Sequence, residues 1–310
     1  MMREKKITRT RGIILILTGS ILWGVSGTVA QYVFQEQHVS VEWLTAVRLL
    51  ISGMLLLGFS YRKEKRNVWA IWKDKKDARS LTVFSIIGMV PLQYSFLAGI
   101  QHGNAATATV LQFLGPAVIT CYLAIHSKRL PTLKESCVVF LAVLGTFLLV
   151  THGDIHRLSI SGWALFWGLF SAVALAFYTL QPHILLAKWG ANIVVGWGML
   201  VGGLAFSFIH PPWEIEGHWS FSTYAGVVFI ILFGTLIAFY FYLESLRYLS
   251  ASETSSLSSA EPLSAAFLSV IWLGVTFDFV QWIGALFIIS TIFILSAKKK
   301  DGKKVKEMGC

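Results

Sequence analysis

The stretch Thr254-Ser255-Ser256-Leu257-Ser258-Ser259-Ala260-Glu261-Pro262 lies in the middle of an apolar run that extends from residue 251 to 274. A carboxylate and a helix-breaking proline therefore stand together about 15 Å into the run, counted at roughly 1.5 Å per helical residue. At that depth a membrane-spanning helix is near the bilayer centre, where an ionised side chain is costly. Pro262 also removes a backbone hydrogen bond, which hydroxyls or a water-lined cavity must replace. The stretch predicts a broken transmembrane helix with Glu261 at a functional site.

An earlier apolar run, from 103 to 126, has the same design. A shift of 146 residues aligns the two runs and their flanks, pairing Pro116 with Pro262, Tyr94 with Tyr240, Leu97 with Leu243 and Leu111 with Leu257. Two proline-broken segments at matching places in two halves are typical of transporters built from repeats, whose binding site lies at the midplane. Gly115 is the partner of Glu261 in this alignment, so only the second half carries the carboxylate.

The composition is that of a membrane protein with many spans. Of 310 residues, 55% are apolar and only 14% are charged. Runs of the roughly 20 apolar residues that a span needs occur at 11–33, 40–61, 79–100, 103–126, 132–151, 160–185, 191–211, 221–246, 251–274 and 279–297. Ten spans leave no room for a soluble domain. They divide the chain into 1–151 with five spans, 152–297 with five more, and a basic tail at 298–310.

The formal charge of +10 could indicate nucleic-acid binding, so the positions of the basic residues matter. Of the 26 lysines and arginines, 24 lie in the two tails or in loops that follow even-numbered spans. Arg157 is on the opposite side and Arg48 is inside the second span. By the positive-inside rule this split predicts a multi-pass protein of the cell membrane with both termini in the cytoplasm. The basic charge then serves topology and lipid headgroups, and we expect no nucleic-acid partner.

Several side chains within the spans are candidates for contact with a substrate or a coupling ion. Arg48 lies about two turns into its span, where a guanidinium needs a partner. That partner could be a substrate carboxylate, Glu261, or helix-end carbonyls in a purely structural bridge. Thr109 and Gln112 share a helix face that ends at the first kink. The full candidate set is Trp23, Arg48, Tyr94, Thr109, Gln112, Gly115, Pro116, Tyr178, Ser258, Glu261 and Pro262.

Motifs for catalysis or metal binding are missing from the sequence. It contains no DDxxD, HxxxxD or HExxH pattern and no GxxxxGK[ST] phosphate loop. The three cysteines, Cys121, Cys137 and Cys310, have neither metal-ligand nor disulfide spacing. We therefore expect no cofactor, no metal and no enzymatic activity.

These features resemble the EamA family of the drug/metabolite transporter superfamily. The resemblance rests on residues 97–106 with Gly115-Pro116, on their counterpart from 243 to 262, on Leu22-Trp23-Gly24, and on Arg48 within 46–50. It covers nearly the whole chain and implies an all-α fold of ten transmembrane helices in two inverted five-helix repeats around a central cavity. It also implies a permease that moves small organic metabolites by alternating access, with amino acids or related compounds as the expected export substrates.

Three alternatives remain beside this interpretation. A carrier of nucleotide sugars or other phosphorylated metabolites would need several basic groups in the cavity, whereas a lipid-modifying membrane enzyme would need clustered acidic or histidine side chains at a membrane face. The third is a receptor or scaffold that does not transport. Glu261 itself could bind a proton or cation, or be a buried structural carboxylate. Expected partners are a small-molecule substrate, the lipid bilayer and protons as the coupling ion, and a homodimer stays open.

Overall fold

The structure is a computed structural model that describes residues 2–64, 67–128, 130, 132–151, 154, 160–249, 254 and 257–296. All regular structure in these residues is helical. The α-helices are α1 (Met2–Gln35), α2 (Val41–Glu64), α3 (Asn67–Ala70), α4 (Lys75–Val83), α5 (Val90–His102), α6 (Ala105–Gln112), α7 (Gly115–His126), α8 (Leu133–Thr151), α9 (Gly162–Leu180), α10 (His183–Trp189), α11 (Ala191–Phe206), α12 (Phe221–Ile231), α13 (Ala238–Ser245), α14 (Ala260–Ile271) and α15 (Phe279–Ser296).

Within the described residues, seven helical segments are long and apolar enough to cross a membrane. They are Arg9–Gln35, Val41–Arg62, Lys75–His102, Ala105–His126, Leu133–Thr151, Gly162–Leu180 and Phe221–Ser245. Three apolar helices are shorter, namely Ala191–Phe206, Ala260–Ile271 and Phe279–Ile294. The ten predicted runs thus correspond to seven candidate spans and three shorter helices. The run predicted to reach residue 211 ends at Phe206, because a turn leads into the two prolines at 211 and 212.

Both proline-broken segments are broken where the sequence predicts. α6 ends at Gln112 and α7 begins at Gly115, after a turn at Phe113 and Leu114. Pro116 then occupies the first turn of α7, where its missing N–H breaks no hydrogen bond. In the second half, a turn at residues 258–259 precedes α14, which begins at Ala260. The first segment therefore consists of two half-helices that meet at a turn, and in the second segment the described part is the turn with the half-helix α14 that follows it.

Two π-helical segments interrupt the long helices, and the sequence pattern did not predict them. The segment π1 (Phe84–Met89) joins α4 to α5, and π2 (Leu232–Ile237) joins α12 to α13. The shift of 146 residues places Gly88 of π1 on Gly234 of π2. π-Helical turns are rare and are frequent at functional sites. The repeat seen in the sequence thus extends to an unusual backbone feature.

The helices pack in pairs across the two halves of the chain. α2 packs on α11, α8 on α15, α5 on α9, and α1 on both α13 and α14. A Cβ atom at Gly53 would lie 2.6 Å from the backbone N of Leu200, and one at Gly203 would lie 2.9 Å from the backbone N of Leu50. A shift of 150 residues converts one contact into the other, because it pairs Gly53 with Gly203 and Leu50 with Leu200. Both contacts require glycine because the two backbones touch. Gly145 and Gly284 make the same kind of mutual contact between α8 and α15.

The two ends of the bundle can be told apart by their loops. At the end that carries the basic loops (the basic end), α4 and α10 are joined by an ion pair, in which Lys188 Nζ lies 2.6 Å from Asp77 Oδ2. Asp74 caps α4 there by accepting hydrogen bonds from the backbone N–H groups of residues 76 and 77. At the opposite end, Gln35 Nε2 donates to Gly103 O at 2.8 Å, which joins the turns that follow α1 and α5.

Candidate functional site

A cavity with about 250 Å³ of empty space lies where α1, α2, α5, π2 and α14 converge. It is lined by Trp23, Ser26, Gly27, Arg48, Phe96, Leu97, Gly234 and Glu261. The volume of about 250 Å³ includes space that is open to solvent, and only about 20 Å³ is accessible to the centre of a water-sized solute. That is room for about one water molecule, so the cavity is nearly closed in this conformation. The two charged side chains that the sequence placed inside spans, Arg48 and Glu261, face the same space.

Arg48 is held in place by a threonine of π2. Its side chain is only 6% exposed, and Arg48 Nε donates to Thr235 Oγ1 at 2.7 Å. The Thr235 hydroxyl in turn donates to the carbonyl of Ile230, five residues earlier, at 2.9 Å. The two terminal amino groups of Arg48 make no hydrogen bond to any described residue. The guanidinium is therefore oriented through Nε, and Arg48 is one of the residues that line the cavity.

Glu261 enters the cavity from the first turn of α14. A carboxylate at a helix N-terminus is favoured by the helix dipole. α1 approaches closely at this point, since a Cβ atom at Gly24 would lie 2.5 Å from Glu261 O and 2.9 Å from Ala265 N. No ion pair within 4.0 Å joins Glu261 to Arg48, both of which are described residues. Arg48 and Glu261 thus line one cavity without direct contact.

Trp23 is the third predicted residue in the cavity, and it forms part of its wall on the side of the basic end. Its ring packs edge-on against Phe239 with centroids 5.1 Å apart, and against Tyr242 at 5.4 Å. Tyr178 lies outside the lining set and packs on Phe84 with ring centroids 5.1 Å apart. The two predicted aromatic residues therefore have different surroundings.

The remaining predicted residues do not belong to the described lining of this cavity. Tyr94 donates its hydroxyl to Glu42 Oε1 at 2.8 Å, near the start of α2. Thr109 Oγ1 donates to its own helix at Ala105 O, 2.7 Å away. Gly115 packs against α9, where a Cβ atom would lie 2.8 Å from Leu175 Cδ2. Gln112 and Pro116 flank that kink, and Ser258 and Pro262 flank Glu261 in the chain.

Sequence reasoning missed five of the eight lining residues. Ser26, Gly27, Phe96, Leu97 and Gly234 were not candidates, and neither was Thr235, which orients the arginine. One signal was available, because the shift of 146 residues pairs Gly234 with Gly88. Thr235 carries no such signal, since its partner in the alignment is Met89.

Comparison with known proteins gives consistent relatives. The EamA-like transporter family matches residues 10–151 and again 162–297. An uncharacterized inner membrane transporter of Salmonella typhimurium, YicL, is 40% identical over 289 residues, covering 92% of this chain and 95% of the relative. The threonine/homoserine exporter RhtA of Escherichia coli is 27% identical over 300 residues, covering 96% and 94%. One solved crystal structure shares the fold, with a TM-score of 0.63 at 15% identity over 91% of this chain and 96% of the other.

Proposed function

The chain belongs to the EamA-like transporter family, and from this membership we propose that it is a secondary transporter of amino acids or related small metabolites. The observation that carries the proposal is the cavity in which Arg48 and Glu261 face each other across helices of both halves. The protein is a multi-pass membrane protein with apolar helices throughout. A cavity of this kind gives a small polar solute a place inside the bilayer.

Alternating access is the proposed mechanism, with residues 1–151 and 152–297 as two inverted five-helix repeats. The packing supports this division. α5 packs on α9 in the same way that α1 packs on α13, which is the relation expected when the halves exchange roles. The reciprocal contacts of Gly53 and Gly203 support an axis that passes between α2 and α11. Rocking of one half against the other would expose the cavity to each side in turn.

Amino acids are favoured over phosphorylated metabolites by the charges in the cavity. A nucleotide sugar would require several cations, whereas the described lining contains the single guanidinium of Arg48 and an opposing carboxylate. The threonine/homoserine exporter among the relatives supports the same class of substrate. The family and its relatives are transporters, which supports transport over the lipid-modifying enzyme.

Energetics and location complete the proposal. We place the protein in the cell membrane with the basic end in the cytoplasm, because positively charged loops are retained there. Proton coupling would use Glu261, the carboxylate of the cavity. A homodimer remains a prediction of the sequence.

The test is exchange of a labelled amino-acid mixture in proteoliposomes of the wild-type protein, with and without an imposed proton gradient. Exchange that accelerates with the gradient in the wild type, but not in Glu261→Gln, supports the complete proposal. Glu42→Gln is the matched control, because Glu42 is a partly buried carboxylate that binds Tyr94 outside the cavity. Exchange indifferent to the gradient would remove the proton from the mechanism. Failure to exchange any amino acid would contradict the substrate class.

A further inference from the structure

We infer that the cavity recognises both ends of a zwitterion, with the substrate carboxylate on Arg48 and its ammonium group on Glu261; this assignment rests on the proposed function. Arg48 is fixed through Nε, and two parallel N–H groups of a guanidinium fork match the two oxygens of a carboxylate. Glu261 supplies the acceptor that an ammonium group requires. The rings of Trp23 and Phe96 form an apolar part of the lining, which would contact the rest of the substrate.

The separation of the two charges makes this recognition selective. Buried charges that are not paired with each other are costly, and a ligand that bridges them recovers that cost. A purely anionic ligand would be attracted by Arg48 but repelled by Glu261, and a purely cationic ligand would be attracted by Glu261 but repelled by Arg48. A site built to bind a polar group can reject an analogue that lacks it by several orders of magnitude.

The experiment is competition against labelled threonine in proteoliposome exchange. We expect threonine amide, which lacks the carboxylate, and N-acetylthreonine, which lacks the ammonium group, each to compete roughly a hundredfold more weakly than threonine. In Arg48→Gln the penalty for the amide should fall to roughly tenfold or less while the penalty for the acetyl compound persists. In Glu261→Gln the pattern should reverse. A merely structural role for either residue would weaken all three compounds equally.

Controls separate this inference from the proposed function. Glu42→Gln should retain both penalties, and Arg48→Lys should retain the penalty for the acetyl compound if Arg48→Gln does not fold. Equal competition by all three compounds in the wild type, or equal weakening of all three in each variant, would overturn the zwitterion assignment while leaving amino-acid transport intact. Absence of any amino-acid exchange would refute the proposed function, and the assignment with it.

A second inference comes independently from the internal repeat. The shifts that align the halves, 150 residues for α2 and α11 and 146 for the broken segments, also locate the counterpart of the cavity. They pair Arg48 with Gly198, and Glu261 with Gly115. Both charged positions of the cavity are therefore glycine in the counterpart. A symmetric second charged site does not exist at these described positions.

The counterpart is filled by aromatic side chains. A Cβ atom at Gly198 would lie 2.6 Å from Cε1 of Phe84, and one at Gly88 would lie 3.5 Å from Cδ1 of Phe177. Phe84 is fully buried and packs on Tyr178. Phe84 precedes the cavity residue Phe96 by twelve positions on one helical segment, which is about 18 Å toward the basic end. The counterpart thus lies between the cavity and the basic end.

These aromatic side chains extend to the wall of the cavity. Tyr178 and Phe239 pack against the same buried cluster, which contains Phe84 and Trp197. Phe239 then contacts Trp23, which lines the cavity itself. Packed rings from both halves of the chain therefore lie between the cavity wall and the basic end.

We propose that this aromatic cluster, comprising Phe84, Phe177, Tyr178 and Phe239, is the gate on the basic side of the cavity. Gly88 and Gly198 make room for the rings of Phe84 and Phe177, whereas Gly115 makes room for Leu175. Opening toward the basic end would require Phe84 to leave its position over Gly198. Loss of this ring should favour the open state, because the packing that it contributes exists only when the gate is closed.

The test measures access to the cavity from each side. A reporter, Ser26→Cys, is placed in a chain whose Cys121, Cys137 and Cys310 are changed to serine, and it is labelled in sided vesicles with a membrane-impermeant thiol reagent. Phe84→Ala should accelerate labelling from the basic side by roughly a hundredfold, since core Phe→Ala changes alter an equilibrium by that order or more. Labelling from the other side should not accelerate.

Two further variants keep the gate proposal falsifiable. Gly198→Ala adds a methyl group that would lie 2.6 Å from the Phe84 ring, so it should also accelerate labelling from the basic side. Phe166→Ala is the matched control, because its ring is 50% exposed on the outer surface of α9. Labelling at the wild-type rate in both Phe84→Ala and Gly198→Ala would overturn the proposal. Equal acceleration by Phe166→Ala would do the same.

Discussion

Replacing Thr235 by valine should weaken substrate binding by Arg48, although the arginine itself is unchanged. The Thr235 hydroxyl accepts a hydrogen bond from Arg48 Nε at 2.7 Å and donates one to Ile230 O at 2.9 Å. Valine keeps the shape of the side chain but leaves the buried Nε–H without a partner. A hydrogen bond to a charged group contributes about 1.5–3 kcal/mol. At about 1.4 kcal/mol per factor of ten, this corresponds to roughly a 10- to 150-fold change in affinity.

The assay is the half-saturation concentration for threonine exchange, measured together with thermal unfolding of the purified protein. Thr45→Val is the matched control, because Thr45 lies on the same helix as Arg48, is fully buried, and donates only to its own helix at Val41 O, 2.7 Å away. We expect Thr235→Val to raise the half-saturation concentration by roughly 10- to 100-fold and Thr45→Val to leave it nearly unchanged. A wild-type half-saturation concentration in Thr235→Val would refute the positioning role of Thr235. Equal increases in Thr235→Val and Thr45→Val would also refute it, because they would show only a general loss of stability.

Three other substitutions test the fold around the site. Gly53→Ala should lower stability by about 1–3 kcal/mol in thermal unfolding, because its methyl group would meet the backbone of α11, whereas Gly58→Ala on the same helix has open space and should not destabilise. Tyr94→Phe removes a hydrogen bond to a carboxylate and should lower stability without changing discrimination among threonine analogues; altered discrimination would return Tyr94 to the binding site. The pKa of Asp74 is lowered because its carboxylate accepts two backbone hydrogen bonds. The stabilising effect of this carboxylate is therefore present above the ordinary pKa of about 3.9, and it is lost as the pH falls through the lowered pKa. The difference in melting temperature between wild type and Asp74→Ala should therefore be constant from about pH 5 to 8 and shrink below about pH 4; a difference that shrinks already near pH 6 would contradict this assignment.

Much of the fold could be predicted because its signals are local in the chain. Run length and proline position placed the apolar helices and both breaks, and the embedded charges identified Arg48 and Glu261 before any geometry was known. These two residues converge because an ionised side chain inside the bilayer is energetically costly unless it faces a cavity or a partner.

The rest depends on how each helix is rotated about its axis, and that is set by packing. A membrane helix is apolar on all sides, so its sequence does not say which face meets a cavity. Thr109 and Tyr94 are candidates for substrate contact from the sequence, and in this structure Thr109 donates to its own helix and Tyr94 to Glu42. The π-helical turn that brings Thr235 under the guanidinium is likewise a product of tertiary contacts, because its residues have no distinguishing pattern.

The unequal chemistry of the two halves has a consequence for the transport cycle. If two repeats were identical, the states open to either side would have equal energy by symmetry. Here one cavity is lined by Arg48 from the first half and Glu261 from the second, while their counterparts, Gly198 and Gly115, are covered by Phe84 and Leu175. Under the gate proposed above, these side chains bias the resting protein toward closure at the basic end. A substrate can reverse that bias only by binding more tightly to the state in which the rings have separated. The contacts to Arg48 and Glu261 must then strengthen as the gate opens, so binding in the resting cavity should be weaker than binding in the state that follows it.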